Sequence, residues 1–494
     1  MYKIGFEKEK YLHTQSEKIR ERIKKFENKL YLEFGGKLFD DMHASRVLPG
    51  FEPDSQIQLL KTMADIAEIV LVIKASDIEQ NRIQGDSGIS YGDDLLRLLN
   101  ELKLSNLYVS SVVITQYNEQ NAAKTFKQRL EHIGMSVYTH YIIKDYPMDI
   151  PLIMSDEGFG KNDYVKTTRP LVVIAASGSS SGKMATCLSQ LYHEAKRGVK
   201  AGYAKFEKFP TWNLPLNHPI NLAYEAATTD IDDTNMIDPF HLEAYSVSAV
   251  NYNRDIEAFP ILDEIFKQIW GESPYKSPTD MGLNMCGDCI LDDEVCKNAA
   301  KQEIIRRYYA AVCEQWMFGG MESQIQKLEL LMKTADISTD NRVVVPHARK
   351  KTEITGTPSV AMKLPDGSFV AGKTTELLGA SSAVLLNALK TLAGISDEVH
   401  LISPSMIEPI HNLNLNYLGN RNPHLGLNET LIALAISTTT NPVARLILEQ
   451  IPKLQNSEAH STTILSQADI NIFHKLNVNI TCEPTYSGQL TVDS

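Results

Sequence analysis

The residues best suited to chemistry lie in Leu171-Val-Val-Ile-Ala-Ala-Ser177-Gly178-Ser179-Ser180-Ser181-Gly182-Lys183-Met184-Ala-Thr186, an apolar run followed by a glycine- and serine-rich turn, a lysine and a helix-like segment. A buried strand feeding such a turn leaves backbone N–H groups free to point at an anion, and the positive end of the following helix dipole adds to the attraction. Gly178, Ser179, Ser180, Ser181, Gly182 and Lys183 therefore form a candidate phosphate cradle, degenerate against the P-loop pattern G-x-x-x-x-G-K-[ST]. Ser177 stands where the first glycine belongs, and Met184 replaces the hydroxyl that would hold Mg²⁺. Thr186 supplies a hydroxyl two places further on. The plain alternative is an ordinary strand-to-helix turn with a solvated lysine.

A second turn, Glu33-Phe-Gly35-Gly36-Lys37-Leu-Phe-Asp40-Asp41, follows the same logic, with paired glycines allowing close backbone approach and Lys37, Asp40 and Asp41 able to address phosphate and metal. A Gly-Gly turn carrying surface charges is the simpler and favoured reading. Thr228-Thr-Asp230-Ile-Asp232-Asp233-Thr-Asn-Met-Ile-Asp238-Pro-Phe-His241 gathers carboxylates that repel one another unless a cation, water or hydrogen bonds offset them. Asp230, Asp232, Asp233 and Asp238 are thus candidate Mg²⁺ ligands beside a bound nucleotide such as ATP, or residues of turns and helix caps. Asp230, Asp238, His241, Glu458 and His460 are the candidate catalytic residues, the last two from Glu458-Ala-His460-Ser461-Thr, where a histidine between an acid and hydroxyls suits a general base or a capping role. His347 and Arg349 follow another apolar run.

His241-Leu-Glu243 followed by Cys286-Gly-Asp-Cys289 echoes the H-x-E and C-x-x-C elements of zinc deaminases, with Met285 in place of the expected proline. Cys296 adds a further thiol, and buried free cysteines are the alternative. The chain has no H-E-x-x-H and no G-x-S-x-G, so the standard zinc-peptidase and serine-hydrolase centres are not supported.

Elements must position these groups. Ser16 to Phe26 has helical apolar spacing, and Leu30 to Phe34 reads as a strand ending at Gly35. Ile66 to Ile73, Leu107 to Ile114 and Val137 to Ile143 read as strands, with a helix over Gln120 to His132. Strands alternating with helices predict an α/β fold with a mostly parallel, Rossmann-like or P-loop-like sheet in residues 1–255, whose ligands bind at strand carboxyl ends. Residues 256–334 are rich in helix formers and predict a helical segment. Residues 335–494 predict a second, smaller α/β domain, with a hairpin over Ser359 to Lys363 and Ser368 to Ala371, a helix over Gly379 to Ala393, and a strand at Ile464-Leu465.

With 494 residues, 43% of them hydrophobic, the chain is long enough for about two to four compact units. Its apolar runs are too short to cross a bilayer, the Lys- and Glu-rich N-terminus lacks a signal-peptide core, and six cysteines do not form a disulfide framework. A cytoplasmic location without membrane association is expected. A net charge of −12 argues against a general nucleic-acid binder.

Thr228 to His241, Ser277-Pro-Thr-Asp-Met-Gly-Leu-Asn-Met285, Lys301-Gln-Glu-Ile-Ile-Arg-Arg-Tyr-Tyr309 and Glu458 to Thr462 resemble one bacterial family, that of the domain of unknown function numbered eighteen forty-six. The resemblance covers essentially the whole chain. It implies an N-terminal α/β domain, a helical insert and a C-terminal α/β subdomain, and brings no agreed catalytic set. Some similar sequences are labelled ATP-dependent peptidases, a label for which these residues supply no centre. The segment from Pro358 into the helix at Gly379 also resembles the hairpin-then-helix core of the cytidine deaminase fold, with Leu378-Gly-Ala-Ser where its first zinc ligand and glutamate would stand. Fold likeness carries no function.

The leading expectation is a protein that binds a nucleotide or other phosphorylated small molecule, with phosphoryl-transfer or ligase-type chemistry if Lys183 stabilises developing phosphate charge. A non-catalytic, metabolite-sensing protein that forms homo-oligomers is the alternative, and a zinc-dependent deaminase the third reading.

Overall fold

Tyr11, Leu12, Gln15, Ile19 and Ile23 recur at helical spacing and form the buried stripe of the first helix, Lys8–Lys25. The chain then alternates between strand and helix. The computed structural model describes residues 3–83, 88–178, 180–419 and 424–486, and the chain divides into two units, Ile4–Ala300 and Lys301–Ser494.

In the first unit the strands β1 (Leu30–Phe34), β2 (Ala67–Lys74), β3 (Val109–Tyr117), β4 (Ser136–Tyr141), β5 (Leu171–Ala176) and β6 (Gly202–Phe206) lie in one sheet. A separate antiparallel hairpin joins β7 (Asn235–Ile237) to β8 (Val250–Tyr252), and β9 (Gly282–Leu283) adds to the sheet edge. The order is β4-β3-β2-β5-β1-β6-β9, and every pairing is parallel. Such sheets are covered on both faces, so central strands read as continuous apolar runs. All of β1 and nearly all of β2 and β5 are buried.

The crossovers bring the two glycine turns together. From β1 the chain passes over β5 to reach β2, whereas from β5 it passes over β1 in the opposite direction to reach β6. Right-handed connections running in opposite directions cover opposite faces, so the adjacent carboxyl ends of β5 and β1 border a crevice of the kind where α/β sheets hold ligands.

The second unit carries a mixed four-stranded sheet in the order β11-β10-β12-β13, formed by β10 (Ser359–Lys363), β11 (Phe369–Lys373), β12 (Glu458–Ser461) and β13 (Asn479–Cys482). The expected hairpin is β10–β11, pairing Ser359 with Lys373, and the helix Ala380–Ala393 packs on it. The protein is thus an α/β fold with a seven-stranded parallel sheet and a second, smaller α/β domain.

Two local expectations are corrected. The strand near the C-terminus is Glu458–Ser461 itself, with Ile464-Leu465 beyond it, because His460 and Ser461 are buried sheet residues despite their polarity. The helical stretch over residues 256–334 is interrupted by β9, whose two residues are too few to carry an alternation signal. No helix among the described residues is long and apolar enough to cross a membrane.

Candidate functional site

The glycine-serine turn leaves the carboxyl end of β5 and runs directly into the helix Lys183–Lys196. Gly178 lies against the Tyr91 ring so closely that a Cβ would collide with it. Gly182 has φ +93°, and a Cβ there would sit 3.0 Å from Thr115 Cγ2, so both backbone conformation and space call for glycine. Thr115 Oγ1 donates to the Ser181 carbonyl oxygen at 2.6 Å and fixes the turn to β3. Gly182 has no side chain to cap the helix, leaving the N–H groups of its first turn to another acceptor.

Three side chains at this turn lack hydrogen-bond partners among the described residues. Lys183 is half-buried and makes no hydrogen bond or ion pair among the described residues. The hydroxyls of Ser181 and Thr186 are buried and likewise without a hydrogen-bond partner there. Burial lowers the affinity of Lys183 for its proton, against the attraction of Glu33, and the neighbouring Lys205 cation lowers it further. Ser180 has φ +53°, and Ser179 lies outside the described residues.

The second glycine turn is the immediate neighbour of the first. β1 pairs with β5 through Glu33 and Ile174 and with β6 through Phe34 and Phe206, which brings Gly35 and Gly36 beside Ser177 and Glu207. Gly35 N–H donates to the Phe206 carbonyl oxygen at 2.9 Å, and a Cβ at Gly35 would lie 2.7 Å from that oxygen. Lys37 and Asp40 are exposed. Asp41 is buried, ion-paired with Lys208, hydrogen-bonded by Gln56 Nε2 at 3.2 Å, and caps the helix Met42–Val47 through Ala44 N–H at 3.1 Å.

Beside the second turn, on β1, β6 and the helix Asn253–Trp270, lies a cluster of buried ionisable groups. Tyr203 donates to Glu33 Oε2 at 2.6 Å. Lys205 Nζ donates to both oxygens of Asp255 at 2.6 Å, pairs with Glu207 Oε1 at 2.9 Å and bonds to the Tyr252 hydroxyl. Tyr252 in turn donates to Glu207 Oε1 at 2.6 Å. Burial opposes the charge on Lys205, but Asp255 and Glu207 hold its pKa above the usual lysine range. Burial pushes Glu207 up to about 7, with Lys205 pulling it down and Asp255 adding repulsion. Glu33 Oε1 and Glu207 Oε2 have no hydrogen-bond partner among the described residues. A lysine, uncapped amides and two carboxylates with an open oxygen each therefore share the carboxyl edge of β5, β1 and β6. That set can hold an anion and exchange a proton near neutrality.

The acidic run is placed differently. Asp230 and Asp232 are exposed. Asp233 is ion-paired with Arg254 and receives the Tyr224 hydroxyl at 3.2 Å. Asp238 is buried, caps the helix Pro239–Tyr245 through His241 N–H at 3.0 Å, and accepts from Thr279 Oγ1 at 2.6 Å. Those are turn and cap roles. His241 Nδ1 lies 2.9 Å from Ser277 Oγ on the wall of a cavity of about 350 Å³ that also involves Trp212 and Arg22. Ser277 is fully buried and caps the helix Pro278–Met281. Cys286, Cys289 and Cys296 are buried free thiols, Glu243 is exposed, and no group of three or more His, Cys, Asp or Glu among the described residues is placed to share a cation. The deaminase-like spacing does not assemble a ligand set.

In the second unit Glu458 is gripped by Arg342 Nη1 at 2.6 Å, Arg306 Nη1 at 3.0 Å and Asn479 Nδ2 at 3.1 Å. Burial works against its charge, but the two guanidinium groups hold the carboxyl below its usual range, which makes it a poor base. His460 lies between Thr481 Oγ1 at 2.8 Å and Glu483 Oε1 at 3.2 Å, and burial lowers its pKa. His347 stacks on Phe369, and Arg349 pairs with Glu483.

Sequence reasoning reached the two turns but not the Lys205, Glu207, Tyr252 and Asp255 cluster. The available signal was Tyr203-Ala-Lys205-Phe-Glu207-Lys208, charges alternating with apolar residues just after the helix that follows the cradle.

Comparison with known proteins gives one consistent answer. Residues 4–336 match the model described as Domain of unknown function DUF1846, N-terminal, and residues 340–491 match its C-terminal counterpart. UPF0371 proteins of Streptococcus pyogenes serotype M5 (strain Manfredo) and Streptococcus uberis (strain ATCC BAA-854 / 0140J) are each 53% identical over 486 residues, covering 98% of both chains.

Proposed function

Since the chain belongs to the DUF1846 family, whose description assigns no activity, we propose a function from the site itself: binding of a phosphorylated small molecule at the carboxyl edge of β5 and β1. The observation that carries this reading is Lys183, half-buried behind a glycine turn at a helix N-terminus and without a hydrogen bond or ion pair among the described residues. Removing an ammonium from water costs free energy unless a partner offsets it, and a phosphoryl group on the uncapped amides supplies that partner. The buried, unpartnered Ser181 and Thr186 hydroxyls support the same ligand.

The chemistry favoured beside it is proton transfer, since Glu207 is raised to about 7 by burial and retains an open oxygen. Phosphoryl transfer with Asp230 to Asp238 holding Mg²⁺ draws no support from their positions, because Asp233 and Asp238 are engaged with Arg254 and Thr279. Thermal unfolding with and without phosphorylated compounds tests the binding reading. A bound ligand raises the midpoint in a concentration-dependent way, and the expected rise disappears in Lys183→Ala. Absence of any rise in the wild-type protein contradicts the reading.

A further inference from the structure

The charges around the proposed phosphate position restrict what else the ligand carries. Lys205 is already neutralised by Asp255 at 2.6 Å and Glu207 at 2.9 Å, which leaves Lys183 as a cation of the cluster without an ion pair among the described residues. One such cation beside the amides of one helix suits one phosphoryl group. A di- or triphosphate would extend its charges toward Glu33 and Glu207, which interact electrostatically with Lys183 and so lie within its surroundings.

Those carboxylates are also half-used. Tyr203 occupies Glu33 Oε2, while Tyr252 and Lys205 occupy Glu207 Oε1. Glu33 Oε1 and Glu207 Oε2 are left as acceptors without donors among the described residues. Glu207 lies against the second turn, its Cγ 3.3 Å and its Oε1 3.8 Å from where a Cβ on Gly35 would be, which sets its carboxylate beside that turn. Open carboxylate oxygens in a partly dry crevice select hydroxyl donors.

We infer that the site takes an organic monophosphate whose hydroxyl groups lie on carbons next to the phosphoryl ester, the chemistry of a phosphorylated polyol or sugar, with the phosphoryl group on Lys183 and the hydroxyls donating to Glu33 and Glu207. This rests on the phosphate reading above and adds the substrate class. It selects against nucleoside triphosphates, whose hydroxyls lie several atoms beyond the terminal phosphate.

Calorimetric titration of the full chain with glycerol 3-phosphate, propyl phosphate, inorganic phosphate and ATP tests it. Glycerol 3-phosphate and propyl phosphate share a three-carbon chain and differ in the hydroxyls alone. Hydrogen bonds to a charged acceptor correspond to about a tenfold preference or more for glycerol 3-phosphate in the wild type. In Glu207→Gln and Glu33→Gln that ratio falls toward one. Equal wild-type affinity for the two esters, or tighter binding of ATP than of glycerol 3-phosphate, overturns the substrate class while Lys183-dependent phosphate binding stands. Failure of inorganic phosphate and both esters to bind, or binding undiminished in Lys183→Ala, overturns the phosphate reading and this inference with it.

Discussion

Glu207 keeps its proton to a higher pH than an exposed carboxyl because burial penalises its charge and Asp255 adds to the penalty, with Lys205 opposing both. Its folded-state value of about 7 lies above the 4.5 of an unperturbed glutamate. A group raised on folding contributes stability that is present in full below the unfolded value and is lost as pH rises through the folded value. The protein is therefore expected to lose stability between pH 4.5 and about 7 through this group, and Glu207→Gln to show a flatter profile there. Denaturant unfolding at pH 5 and pH 8 checks it; equal slopes for the two proteins contradict it. Lys183 makes the complementary prediction at equilibrium. A charge-assisted hydrogen bond is worth about 1.5–3 kcal/mol, so Lys183→Ala should weaken phosphate binding by roughly ten- to a hundredfold, as read by calorimetry.

At the level of elements, the cradle depends on glycine where the backbone turns left-handed. Gly182→Ala places a Cβ 3.0 Å from Thr115 at φ +93°, and the expected loss is about 1–2 kcal/mol of stability together with binding at the proposed phosphate site, measured by unfolding and titration of the same variant. The strand β5 and the turn after it were legible because a strand buried on both faces reads as an unbroken apolar run that stops at glycine. β6 was not legible. Its five residues are all buried, yet Lys205 interrupts the run, and what makes that lysine tolerable is Asp255, fifty positions away and brought close by the fold. The same blindness applies to Asp233 and Asp238. Four acids in a short stretch suggest a cation, and only the fold discloses that Arg254 and Thr279 already occupy two of them. The adjacency of the two glycine turns was hidden for a further reason: strand order, not spacing along the chain, decides that β1 lies beside β5.

Across the whole molecule, buried ionic groups serve two separate purposes. In Lys301–Ser494, Glu458 joins Arg342, which is fully buried, to Arg306, and its bonds are all internal. Glu458→Ala removes the ion-pair partner of the buried Arg342, which keeps its bonds to Thr481, Ala459 and Asn479, so a loss of about 3–5 kcal/mol is expected in denaturant unfolding. Phosphate affinity should be retained under native conditions, because Glu33, Lys183, Lys205 and Glu207 all lie within Ile4–Ala300. In Ile4–Ala300 the corresponding network is incomplete, with Lys183 and one oxygen each of Glu33 and Glu207 left open among the described residues. That difference between a closed ion cluster and an open one is what the proposed phosphate site rests on. The most direct measurement is the anomalous diffraction signal of tungstate, a heavy phosphate analogue, in crystals of the protein. The predicted position lies at the first-turn amides of the helix Lys183–Lys196, within reach of Lys183 Nζ; crystals saturated with tungstate that show no signal there rule out phosphate binding at this turn.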